Sequence, residues 1–249
     1  MLELKNVLLK RGNLAIGPLN LQINKGEIVT LCGKNGSGKT STLLALNREI
    51  KPDSGEIIIN GKNLKTLKVY ESSRYMGYVQ QELPEPMGLS VKDIMEINGF
   101  TREYNYGDLY SSMEMCGVEQ FIGRDYATLS GGEKRMVMIA AAIYQNSEYL
   151  LLDEPSSFLD IDKVIILIKI LKNLKKSGKG ILLVLHDINL AYSISDSIVL
   201  MKDGKIVSSG ARDIAINIKN LELAYDTKFK KYMSPEGLRF YPAEHEADL

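Results

Sequence analysis

What this chain lacks narrows it first. Its 249 residues hold two cysteines, Cys32 and Cys116, which give neither a metal-ligand spacing nor a disulfide framework. A cysteine metal centre is not implied, and Cys32 reads as a small hydrophobe at a strand end. Charge of one sign is also missing: 31 Lys and Arg balance 31 Asp and Glu. No net field draws in nucleic acid, so nucleic acid is not an expected partner. Long apolar runs are absent, since GILLVL (180–185) is too short to cross a bilayer and VIILIKIL (164–171) is interrupted by a lysine. The start, MLELKNV, has no charged-then-apolar signal pattern, and the expectation is a soluble intracellular chain. There is no internal repeat and no low-complexity segment.

What is present begins with residues 31–43, LCGKNGSGKTSTL. Gly33, four residues, then Gly38, Lys39 and Thr40 match GxxxxGK[ST], a loop whose successive backbone N–H groups curl around an anion because glycine tolerates the dihedrals required. Upstream, GEIVTL (26–31) has the β-branching of a strand; downstream, TSTLLALNREI has apolar residues at helical spacing. Strand, loop, helix is the order a phosphate cradle needs. Its contacts are Gly33, Lys34, Asn35, Gly36, Ser37, Gly38, Lys39, Thr40 and Ser41. Lys39 reaches the β and γ phosphates, Thr40 ligates Mg²⁺, and the helix turns its positive end to the anion.

YLLLDEP (149–155) ends an apolar strand on two adjacent carboxylates, Asp153 and Glu154, and nucleotide sites gather at the carboxyl ends of such strands. One acid orients Mg²⁺ through its water while Glu154 polarises an attacking water, the division of labour that phosphoryl transfer to water calls for. In TLSGGEKRMVMIAAAI (128–143) the pair Gly131 and Gly132 opens another helix. Its N–H groups and the Ser130 hydroxyl make half a phosphate cradle, without the lysine. One complete and one incomplete cradle suggest that the second closes over a nucleotide held by another copy. A plain N-cap at Ser130, with Glu133 completing a capping box, predicts the same local structure.

LELKNVLL, LNLQI and EIVTL read as strands separated by turns at Arg11-Gly12-Asn13 and Lys25-Gly26. EIIINGKNL (56–64) predicts a hairpin turning at Asn60-Gly61, and YMGYVQQ (75–81) a buried strand. From about 84 to 147 the spacing is helical. Strands return at 149–153, 180–185 and 197–201, with helices after the first of these and after His186. The economical assembly is a parallel α/β core interrupted by a helical lobe.

GKNGSGKT, then Gln81 at a strand end, LSGGE (129–133), LLLDEP, SFLD (157–160) and His186 in VLHD resemble, in order and spacing, the ATP-binding subunit of ABC transporters over roughly residues 1–225. The resemblance implies a single domain over 1–249 with a P-loop NTPase fold. A RecA-like core (about 1–83 and 148–225) would carry an antiparallel β subdomain, an inserted helical subdomain (about 84–147) and a C-terminal extension (about 226–249). It implies ATP and Mg²⁺, and a head-to-tail dimer with each ATP between one copy's phosphate loop and the other copy's Ser130, Gly131 and Gly132. It further implies that Gln81 contacts Mg²⁺ and a transmembrane partner, that Asp160 communicates between the two sites and that His186 meets the γ phosphate. Catalysis would rest on Glu154, His186, Gln81 and Lys39, and the metal on Thr40, Gln81 and Asp153.

Two departures stand out. Where the family usually stacks an aromatic ring on adenine this chain has Arg11, whose guanidinium can stack instead. Met136 and Ala141 stand where the family usually has arginines.

LAIGPLNLQINKGEI, HDINLAYSISDSIVLMKDGKIVSSG and the tail NLELAYDTKFKKY followed by EGLRFYP resemble the ATPases of importers for iron–siderophore complexes, haem and cobalamin. The expectation is ATP hydrolysis at the cytoplasmic face of the cell membrane, energising a permease that takes a metal chelate from a substrate-binding protein. The alternatives are a soluble ABC ATPase of cluster-assembly type and an ABC transporter of another substrate class. Between core and lobe, QELPEPMGLSVKDIM (81–95) leaves Met87 and Leu89 where the resemblance puts the permease groove, unless they merely seat the lobe's first helix.

Overall fold

The computed structural model describes residues 1–249 other than 13, 102, 235, 236 and 244–249, so Asn13 of the first turn and Glu236 of the tail motif lie outside the described residues. Along the chain run β1 (Leu2–Arg11), β2 (Leu14–Ile23), β3 (Ile28–Gly33), α1 (Lys39–Leu46), β4 (Ser54–Ile59), β5 (Lys62–Asn63), α2 (Val69–Ser73) and β6 (Met76–Val79). Next come α3 (Val91–Asn98), α4 (Tyr106–Met115), α5 (Gly131–Tyr144), β7 (Tyr149–Asp153), α6 (Ile161–Lys176), β8 (Gly180–Val184) and α7 (Ile188–Ile194). The last are β9 (Ser197–Lys202), β10 (Lys205–Ala211), α8 (Arg212–Ala215), α9 (Ile218–Tyr225), β11 (Phe229–Ser234) and β12 (Gly237–Pro242).

The chain forms two compact units. The first comprises Met1–Glu3, Gln22–Glu27 and Ile57–Leu183. Within it β6 pairs in parallel with β7, Tyr78 opposite Leu151, and β8 flanks β7 on its other side. Every residue of β7 and β8 is buried, as expected of parallel strands covered on both faces. The hairpin turns at Asn60-Gly61, with Ile59 opposite Lys62 and Asn60 in the left-handed region at φ 48°. The one-turn helix α2 was not foreseen in sequence; it starts where the Glu71 carboxylate accepts from the backbone N–H of Lys68. In the helical stretch α3 and α4 both pack on α5, which buries Met136, Val137, Ile139, Ala140 and Ala141.

The second unit comprises Leu4–Leu21, Ile28–Glu56 and Val184–Leu249. Here β3 pairs in parallel with β9, Cys32 opposite Leu200, and β10 adds antiparallel to β9. Burial pushes the Cys32 thiol up to about 12, the behaviour of an inert core side chain. Neither β10 nor the β11–β12 hairpin was foreseen. No residue of β10 is fully buried, so KIVSSGA lacks the apolar alternation that marks a half-buried strand.

Candidate nucleotide site

The phosphate loop lies in the second unit, between β3 and α1. Gly33 closes β3 at φ 149°, and a Cβ there would meet the Met201 carbonyl oxygen at 2.1 Å. Gly38 caps α1 at φ 102°, where a Cβ would fall 2.9 Å from Ile16. Lys39 is 5% exposed, and its Nζ donates to the carbonyls of Gly33 and Lys34, both at 2.8 Å. The lysine thus holds its own loop in a ring, with Thr42 Oγ1 donating to the Gly38 carbonyl at 2.9 Å.

Lys34, Asn35 and Gly36 are exposed, and Thr40 and Ser41 half-buried in the first turn of α1. That turn carries no acid, which leaves the helix's positive end to an external anion. The Ser37 hydroxyl is buried without a hydrogen-bond partner, a donor that a phosphate oxygen would satisfy. A single methyl group tests the cradle. Gly33→Ala is expected to weaken ATP binding at least about fivefold, because forcing a side chain into that backbone costs on the order of 1–3 kcal/mol of strain; titration with a fluorescent ATP analogue reads it.

The same unit holds His186 and Arg11, both exposed. His186 follows β8, and the next residue, Asp187, caps α7 by accepting from the backbone N–H groups of Asn189 and Leu190 at 2.8 and 3.0 Å. Arg11 ends β1.

The first unit holds the remaining residues. Asp153 is fully buried at the end of β7 and Glu154, just beyond it, is 9% exposed. Glu154 stands in the left-handed region at φ 50°, a conformation that costs a non-glycine residue on the order of 1–3 kcal/mol and concentrates at functional sites. Ser157 secures it twice: its backbone N–H donates to the Glu154 carbonyl at 3.0 Å and its hydroxyl to Oε2 at 3.2 Å.

Ser130 and Glu133 form the capping box, Ser130 N–H donating to the Glu133 carboxylate at 2.7 Å and Glu133 N–H to Ser130 Oγ at 3.3 Å. These bonds, the one from the Ser130 backbone foremost, hold the Glu133 carboxyl below its ordinary range. Gly131 is exposed and Gly132 buried; a Cβ on Gly132 would crowd the Phe158 carbonyl oxygen at 3.0 Å. Asp160 caps α6, accepting from Lys163 N–H at 3.1 Å and Nζ at 3.3 Å, and next to it Phe158 is 79% exposed. Gln81 is exposed, two residues past β6.

Sequence reasoning missed Arg135. This arginine of α5 is 1% exposed, and its guanidinium donates to the Gln80 carbonyl at 2.7 Å and to the Gln81 carbonyl. Burial draws its pKa down, while Tyr126, Asp153 and Glu154 favour its charge. Beside it Lys134 pairs with Glu85 at 2.9 Å. Two consecutive cations therefore fasten the segment after β6 to the helix that Ser130 opens. The signal was a lone arginine ahead of the apolar run MVMIAAAI. Of the pair in that segment, Met87 is 84% exposed, while Leu89 is half-buried and its carbonyl accepts from Tyr126 N–H at 2.9 Å.

Among the described residues no cluster of three His, Cys, Asp or Glu side chains could hold a metal alone. Magnesium takes oxygen ligands and keeps several waters, so it needs no such cluster, and Thr40, Gln81 and Asp153 each carry a side-chain oxygen. Among the described residues no helix is long and apolar enough to cross a membrane.

A phosphate loop between strand and helix, with an acid pair ending a buried parallel strand, defines a P-loop NTPase. The ABC transporter family model matches residues 16–157, and the chain belongs to that family as an ABC ATPase. Its fold is the expected one, a P-loop core with an antiparallel sheet and a helical subdomain. Among curated relatives, the hemin import ATP-binding protein HmuV of Rhizobium meliloti is 30% identical over 90% of this chain and 90% of its own. The petrobactin import ATP-binding protein YclP of Bacillus subtilis is 32% identical over 91% of this chain and 93% of its own. The iron(3+)-hydroxamate import ATP-binding protein FhuC of the same organism is 32% identical over 77% of this chain and 75% of its own.

Among solved structures, an inward-facing ABC transporter assigned to the metal-chelate type shares the fold at TM-score 0.84 and 23% identity, covering 98% of both chains. A dimeric ATP-binding cassette in a post-hydrolysis state, bound to ADP and Pi, matches at TM-score 0.77 and 27% identity, over 85% of this chain and 99% of its own.

Proposed function

We propose that this chain is the ATP-hydrolysing subunit of an importer for a metal chelate of the iron–siderophore, haem or cobalamin class. It works as a head-to-tail homodimer on the cytoplasmic face of the membrane, beneath permease subunits supplied by a substrate-binding protein. The observation that carries this reading is the likeness, over about nine-tenths of the chain, to relatives named for the import of hemin and petrobactin.

The residues take these roles. Lys39 and the loop N–H groups hold the β and γ phosphates, Ser37 adds its hydroxyl, and Arg11 stacks on adenine. Thr40, Gln81 and Asp153 would hold Mg²⁺, which when bound neutralises charge on the phosphates. Glu154, steadied by Ser157, takes the proton of the attacking water, and His186 contacts the γ phosphate. Ser130, Gly131 and Gly132 of a second copy close over the same nucleotide, and Asp160 links the two sites.

Mixing two inactive variants tests the arrangement. Ser130→Arg blocks the second cradle and Lys39→Ala weakens the first, so each homodimer is expected to be nearly inactive. A mixed dimer regains one site made of two unaltered halves, and measurable ATP turnover returns on mixing. If none returns while Ser130→Arg still binds labelled ATP, the cross-copy arrangement is wrong or its two sites work only as a pair. For the transported class, reconstitution with a permease of the iron-chelate import class should give ATP turnover that rises when binding protein loaded with an iron chelate is added.

A further inference from the structure

We propose that the C-terminal extension, from Tyr225 through β12, braces the nucleotide site, gripping the phosphate loop at one end and the helix after His186 at the other. Asp226 and Asn189 are its positioning residues. The inference rests on the reading of Lys34 and His186 as nucleotide contacts.

At the first grip, α9 ends on Asp226 in the left-handed region at φ 51°. That turn brings one carboxylate between two cations: Oδ2 accepts from Lys34 Nζ of the phosphate loop at 3.1 Å and Oδ1 from Lys202 Nζ at the end of β9. The Tyr225 hydroxyl is buried, and its ring meets Phe229 edge-on with centroids 5.9 Å apart.

At the second grip, Asn189 in the first turn of α7 pairs with β12 as a neighbouring strand would. Its Nδ2 donates to the Phe240 carbonyl at 3.0 Å, and Phe240 N–H donates to its Oδ1 at 2.8 Å. Phe240 is 4% exposed and lies edge-on to Tyr192 at 5.5 Å.

Between the grips, β11 and β12 pair from Phe229 opposite Pro242 to Ser234 opposite Gly237. A two-stranded ribbon is marginal by itself in water, so it takes its order from what it is anchored to. Both anchors adjoin residues that handle the nucleotide: Lys34 lies within the loop, and Asn189 stands three residues after His186, inside the cap made by Asp187. Fixing the start of α7 fixes the backbone that presents the imidazole, and a shift of about 1 Å at a reacting group costs on the order of 10²-fold in rate.

The two grips are expected to separate kinetically, because one touches ground-state phosphate binding and the other a contact used in turnover. In the purified full chain, Asn189→Leu should lower kcat roughly tenfold with KM for ATP within about twofold, a fraction of the loss that a 1 Å shift brings. Asn189→Asp keeps the acceptor for Phe240 N–H and should recover most of that loss. Asp226→Asn should instead raise KM by roughly two- to fivefold at unchanged kcat, the size an exposed ion pair carries, and high salt should erase the difference. Melting curves accompany each variant.

The brace is overturned if Asn189→Leu leaves kcat within a factor of about two of the unaltered chain, or if kcat is lost only with a collapsed melting curve that Asn189→Asp shares. A chain that fails to hydrolyse ATP without any substitution overturns the nucleotide reading, and the brace with it. Turnover without the kinetic split overturns the brace alone.

Discussion

Glu154→Gln is expected to bind ATP as the unaltered chain does while turning it over on the order of 10²-fold more slowly, or less still. The amide keeps the shape of the carboxylate and the acceptor that Ser157 Oγ reaches at 3.2 Å. It also keeps the left-handed backbone at φ 50°, so the local fold has no reason to change. What disappears is the base, because an amide cannot take a proton from water at neutral pH. With hydrolysis blocked, the closed state has no exit, and a stable dimer should appear by size-exclusion chromatography in ATP and Mg²⁺ and vanish when ATP is removed. Single-turnover kinetics separate binding from chemistry, and turnover near the unaltered rate would sink the assignment of Glu154 as the base.

Arg135→Met is expected to cost about 3–5 kcal/mol of stability, although methionine suits an apolar helix. Two effects add. The carbonyls of Gln80 and Gln81 lose charged donors, and each group left unpaired out of water costs roughly 1–3 kcal/mol. Asp153 and Glu154 also lose the neighbouring guanidinium whose charge they favour.

For a chain of this size about 1 kcal/mol moves the melting temperature by roughly 2–4 °C, so a drop on the order of 10 °C is expected by calorimetry. Arg135→Lys keeps the charge but not the fork that reaches two consecutive carbonyls, and should fall between. A melting temperature within about 2 °C for Arg135→Met would mean that other donors serve those carbonyls.

The parts of the site that could be read in advance are those whose geometry is local. GxxxxGKT needs eight adjacent residues, and Gly33 at φ 149° and Gly38 at φ 102° take positions that their residue type announces. Ser130 with Glu133 is a cap set by a spacing of three residues. Strands β7 and β8 announced themselves through continuous apolar runs. The half-polar β10 and the one-turn α2 did not, because neither carries a period long enough to recognise.

Local pattern sufficed for the α/β core, the glycine turns that open α1 and α5 and the acids at the end of β7, because each follows from dihedral preference and hydrophobic period over a short stretch. What the distant charges do depends on the packed fold. Arg135 reaches carbonyls 54 and 55 residues away, Asp226 bridges to a lysine 192 residues away, and Asn189 pairs with a strand 51 residues away. A side chain's charge and hydrogen-bonding capacity are written in its type. Its burial and its partner are set by which segments the packed core brings alongside it, and no local pattern encodes that.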